Sequence, residues 1–110
     1  MPTGMHQYLV IAMDQNDAQA LQRRLAARQA HLDGATTAHG EKRLLMGGAI
    51  LSSDPAAAAT ADSNPTMVGS ALLFQAESED QVRQWIEADP YVCKDVWGDI
   101  KILPFKVAVL

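Results

Sequence analysis

The sequence predicts a single α+β domain over residues 1–110, a ferredoxin-like βαββαβ sandwich that packs its sheet against a second copy of itself. Three observations lead there. Stretches rich in β-branched and aromatic residues alternate with helical periodicity in the order strand, long helix, strand, strand, helix, strand, the split βαβ pattern. A chain of 110 residues suits one domain but gives a monomer only a thin core. The first strand is apolar on both faces, whereas helices in this topology cover one face of the sheet, so a partner sheet is the simplest cover for the other.

Residues 5–13 make that first strand, which stops at the polar run from Asp14 to Asp17. Tyr8 and Val10 point one way and Leu9, Ile11 and Met13 the other; Tyr8 and Val10, or their neighbours, are expected on the open face. From Asn16 or Asp17, both good N-caps, a helix runs to about His39, with Gly40 just past its end. At roughly 100° per residue Leu21, Leu25, Leu32 and Ala35 share one stripe, the expected buried face, and Arg28 falls inside it. Residues 43–51 read as a second strand in which Gly47-Gly48 marks a bulge or a close approach.

The segment 52–66 is small, polar and punctuated by prolines, longer than ordinary connections, and is expected to be mobile over a cleft mouth. Residues 67–76 form the third strand. Ser78 then caps a helix that carries Val82, Trp85 and Ile86 on one side. Asp89-Pro90 ends it, because proline turns the preceding residue away from the helical path. Residues 99–107 supply the fourth strand, where Pro104 implies an edge or a bulge.

Bulk chemistry excludes several function classes. A net charge of -4 and a pI near 5.1 leave no basic stripe for a phosphate backbone, so no nucleic-acid partner is expected. Cys93, the single cysteine, permits no intrachain disulfide, fits a reducing compartment and reads as a buried small hydrophobe. No signal peptide opens the chain and no apolar run approaches a membrane span, so a soluble cytoplasmic protein is expected. His6, His31 and His39 lack zinc-ligand spacing, and no metal is expected.

The residues that carry chemistry sit on the long helix. Arg24, Arg28 and His31 follow an i, i+4, i+7 spacing that places three basic groups along one edge. Taken alone, that spacing also suits side chains bordering a core with their tips in water. Asp89 is the natural partner for His31, since a carboxylate on one imidazole nitrogen leaves the other to act as base; Asp-Pro is equally an ordinary helix stop. Ser70, on the third strand, is either a cleft-facing hydroxyl or an ordinary strand residue. Trp85 and Trp97 read as core or interface aromatics.

Arg28-Gln29-Ala30-His31-Leu32 resembles the R-x-x-H-L segment of the YCII-related family, and Asp89-Pro90-Tyr91 resembles its D-P-Y segment. Gly47-Gly48 and Lys101-Ile102-Leu103-Pro104-Phe105 are similar to its small-residue turn and closing strand, and the likeness spans residues 5–107. The Gly-Gly pair departs from the family's frequent Gly-Pro, and the 52–66 segment is longer than expected. The resemblance implies a homodimeric α/β barrel with a His-Asp dyad in a cleft, at positions matching His31 and Asp89. The resulting expectation is proton transfer on a small organic acid, of lyase, isomerase or dehydrochlorinase type and without a cofactor, with Arg24, Arg28 and Ser70 binding the substrate. The alternative is a non-catalytic small-molecule binding or regulatory dimer using the same cleft.

Overall fold

A computed structural model describes residues 5–58 and 64–110. The elements are β1 (His6–Asp14), α1 (Ala20–Gly40), β2 (Leu44–Leu51), β3 (Met67–Ala76), α2 (Glu79–Glu87), the one-turn α3 (Pro90–Cys93) and β4 (Trp97–Phe105). The four strands form one antiparallel sheet in the order β2-β3-β1-β4, the ferredoxin-like arrangement with the helices on one face. Pro104 lies in β4, an edge strand, where a missing N–H costs the sheet no ladder bond. No described helix is long and apolar enough to cross a membrane.

The core lies between helices and sheet. Val10 and Ala12 from β1, Leu72 and Phe74 from β3, and Val82 and Ile86 from α2 join it, with Tyr8 packed against it. Of the two facings left open for β1, the structure takes the second: Tyr8 and Val10 look at the helices, and their neighbours Leu9, Ile11 and Met13 take the opposite face. There the strand register aligns Met46, Leu73, Leu9 and Leu103 as one apolar row across all four strands. Met46 and Leu103 are exposed, as is nearby Phe105. Gly69 permits the close approach of β3 to β1, since a Cβ there would sit 2.7 Å from the Ala12 carbonyl oxygen.

α1 differs most from its expected form. It starts at Ala20, because Asp17 spends its carboxylate on the Gln19 N–H and on Arg23 instead of capping at residue 17. It runs through Gly40 to a C-cap at Glu41, and the left-handed residue past its end is Lys42, at φ 63°, rather than Gly40. Its buried residues are Ala20, Arg24, Ala27, His31 and Ala38, while Leu25 is 54% exposed. The buried face is thus turned away from the Leu21, Leu25, Leu32 stripe. Small alanines let the helix axis approach the sheet, and Arg24 and His31 enter because carboxylates meet them there.

Gly47-Gly48 marks a close approach, since a Cβ on Gly47 would sit 2.9 Å from Leu72 Cδ2, while the register shifts of β2 fall between Leu44 and Met46 and between Ile50 and Leu51. One further expectation needs correction. Cys93 is exposed at the end of α3 rather than buried. Ser52 and Thr66 exchange hydrogen bonds at the base of the β2–β3 connection. No described residue of 52–58 or 64–66 lines the cleft; residues 59–63 of the expected lid lie outside the described residues.

Candidate active site

α1 and β2 wall a cleft of about 550 Å³ that reaches Arg24, Arg28, His31, Ser70 and Tyr91. The site is assembled from the end of β1, one face of α1, the middle of β3 and the α2–α3 junction. That junction sets its geometry. Asp89 takes an extended conformation before Pro90 and caps α3, its Oδ1 accepting the Tyr91 N–H at 2.8 Å. The same carboxylate reaches α1, where His31 Nδ1 lies 2.9 Å from both Oδ1 and Oδ2.

A proton on Nδ1 donated to Asp89 leaves Nε2 as the nitrogen that exchanges protons. Tyr91 stacks on the imidazole at 4.0 Å and 13°, and Trp97 meets it edge-on at 5.7 Å. A carboxylate and two aromatic rings therefore fix the ring. Tyr91 is almost fully buried, which pushes its phenol above the ordinary tyrosine value, partly opposed by the charges of Arg24 and Arg28. A second cavity of about 430 Å³ opens between α1 and α2, walled by Phe74 and Trp85, and shares His31 with the first.

Arg24 and Arg28 are brought to the same cleft in different states. The Arg24 side chain is 2% exposed; its Nε lies 2.9 Å from Asp14 Oδ2, and its Nη2 donates to the Gly69 carbonyl and to Ser70 Oγ, both at 2.6 Å. Trp97 Nε1 also donates to Ser70 Oγ, at 3.1 Å. Arg28 is exposed, and no carboxylate pairs with it among the described residues. Sequence reasoning missed Asp14, read only as the first residue of the polar run that stops the first strand, and Trp97, read as a core or interface ring. It quoted Tyr91 in the D-P-Y segment without a role. Asp14 closing an apolar strand was the one available signal. Among the described residues, no three His, Cys, Asp or Glu side chains cluster to hold a metal.

Compared with known proteins, residues 6–106 match the YCII-related domain. The chain belongs to the YCII-related family. Protein YciI of Escherichia coli O6:H1 is 36% identical over 102 residues, covering 90% of this chain and 95% of that protein. An uncharacterized protein of Haemophilus influenzae is 32% identical over the same shares. Among solved structures, the YCII-related chain is similar to TftG of Burkholderia phenoliruptrix AC1100, a 5-chloro-2-hydroxyhydroquinone dehydrochlorinase in complex with 2,5-dihydroxybenzoquinone. The TM-score is 0.73 at 26% identity, covering 91% of this chain and 93% of that one.

Proposed function

We propose that this protein is an enzyme in which His31, oriented by Asp89, transfers a proton on a small organic acid held in the α1–β2 cleft, as a lyase, isomerase or dehydrochlorinase does. The observation that carries this reading is the contact of His31 Nδ1 with both Asp89 oxygens at 2.9 Å, which dedicates Nε2 to proton exchange. Arg28, exposed at the cleft, supplies the counter-charge for the acid. Proton transfer by an imidazole needs no cofactor. The likeness to a dehydrochlorinase bound to a hydroxylated quinone makes acidic hydroxylated rings the first substrates to try.

The working unit in this proposal is a homodimer whose open sheet faces pack together as an α/β barrel. The row Met46, Leu73, Leu9 and Leu103 supports it: Leu73 is already buried, but Met46 and Leu103 at its two ends are exposed, and apolar surface of this kind is costly to leave in water. Light scattering should give a dimer mass; a monomer at micromolar concentration with native circular dichroism removes the barrel. For the chemistry, a panel of hydroxylated and halogenated ring acids beginning with 5-chloro-2-hydroxyhydroquinone is followed by chloride release. Turnover should fall by about 100- to 10,000-fold in His31→Ala. Ligands that bind without turning over leave the non-catalytic binding module in its place.

A further inference from the structure

The hydrogen bonds at Ser70 leave one group over. Its Oγ accepts from Arg24 Nη2 at 2.6 Å and from Trp97 Nε1 at 3.1 Å. Guanidinium and indole N–H groups are donors only and offer no lone pair in return. Both lone pairs of the hydroxyl are therefore engaged, and its own proton must leave in the remaining direction. No described residue accepts that proton. Ser70 is 2% exposed and lines the cleft. Arg24 repeats the pattern: Nε and Nη2 serve Asp14, Gly69 and Ser70, whereas Nη1, with two N–H groups, meets only the Met67 thioether at 4.0 Å, a weak acceptor.

We infer that Ser70 and Arg24 Nη1 form a donor-only site at the floor of the cleft, which receives a deprotonated ligand oxygen, an enolate or phenolate. The site deepens the proposed function and rests on it for its place in catalysis. When His31 removes a proton, the charge left on the substrate gathers on an oxygen, and fixed donors aimed at that oxygen stabilise it. A protonated oxygen is a poorer fit, since its own hydrogen would face further donors. The arrangement also removes Ser70 from the nucleophiles: no base takes its proton, and its lone pairs are already held.

The probes are 2,5-dihydroxybenzoquinone, which is anionic at neutral pH, and 2,5-dimethylbenzoquinone, a ring of similar size with no ionisable oxygen. Each is titrated calorimetrically into wild type and Ser70→Ala. Wild type should prefer the dihydroxy ring by at least about tenfold, and Ser70→Ala should narrow that preference by about tenfold, the size of one hydrogen bond to a charged group. The dimethyl ring should change less than about twofold. No binding of the dihydroxy ring, no preference in wild type, or an unchanged preference in Ser70→Ala overturns the site.

Ser70→Ala strips an acceptor from two buried donors, so a measurement on wild type stands beside it. Neutron diffraction should place the Ser70 deuteron on the cleft side of Oγ, away from both donor nitrogens; a deuteron directed at a protein acceptor overturns the inference. Neither measurement depends on turnover. A protein that keeps the preference but shows no His31-dependent rate would sink the proton-transfer reading and leave this site standing.

Discussion

Arg24 and Arg28 stand one turn apart on α1 and face one cleft, yet the fold uses them in opposite ways. Arg24 is buried against Asp14, Gly69 and Ser70, while Arg28 stays in water beside no described carboxylate. What lies across from each side chain decides the difference. β1 delivers a carboxylate and β3 a carbonyl and a hydroxyl to Arg24, enough acceptors to bring a guanidinium out of water. Arg28 meets none of these and remains available to a ligand. Position along a helix edge therefore does not assign a role; the acceptors opposite do.

The sharpest way to break this comparison is to remove the inner cation. Arg24→Leu leaves Asp14, only 7% exposed at its side chain, without its partner, and should cost about 3–5 kcal/mol in a urea melt. A loss below about 1 kcal/mol would show that the pair does not hold the inner end of the cleft. Asp89→Asn tests the second buried basic group. Asparagine still caps α3, so stability should fall by no more than about 1 kcal/mol. Nitrogen NMR shifts should nevertheless show that His31 has lost its Nδ1–H tautomer, because an amide can present its own N–H to that nitrogen. An unchanged tautomer would mean that Asp89 does not orient the ring.

Tyr91, stacked between these groups, makes an alkaline prediction. Its phenol titrates above its unfolded value of 10.0, so the folded chain holds the proton that the unfolded chain has released. That contribution is complete below pH 10.0 and is lost as pH rises through the folded value. Tyr91→Phe should flatten the alkaline fall in melting temperature, and an identical fall in both proteins would assign it elsewhere. The smallest structural effect belongs to Arg28→Ala. It should shift stability by less than about 0.5 kcal/mol while weakening acid binding by about tenfold, a separation that Arg24 variants should not show.

How much of the site was legible in the sequence follows the same line. His31 and Asp89 were found as a pair because two short segments resembled a family, although nothing local gives the distance across 58 positions. Ser70 and Arg24 were named as ligand groups, but their bond to each other and to Trp97 spans 27 to 46 positions and has no local signature. Asp14 went unassigned because an acidic residue after a strand is indistinguishable from a turn until an arginine is placed beside it.

By itself the sequence determined the order of elements, the capped start of α2 at Ser78 and the break at Asp89-Pro90, and narrowed β4 at Pro104 to an edge or a bulge. Each of these rests on backbone chemistry within a few residues: β-branching, a side-chain cap, or the missing N–H and fixed φ of proline. Only the tertiary structure decided which face of α1 is buried and which face of β1 meets the helices. Leucine spacing favoured one stripe of α1, but alanines at 20, 27 and 38 allow a closer approach along another, where Asp14 and Asp89 wait for Arg24 and His31. Burial there is settled by shape and by paired charge across the fold, quantities that no stretch of chain contains on its own.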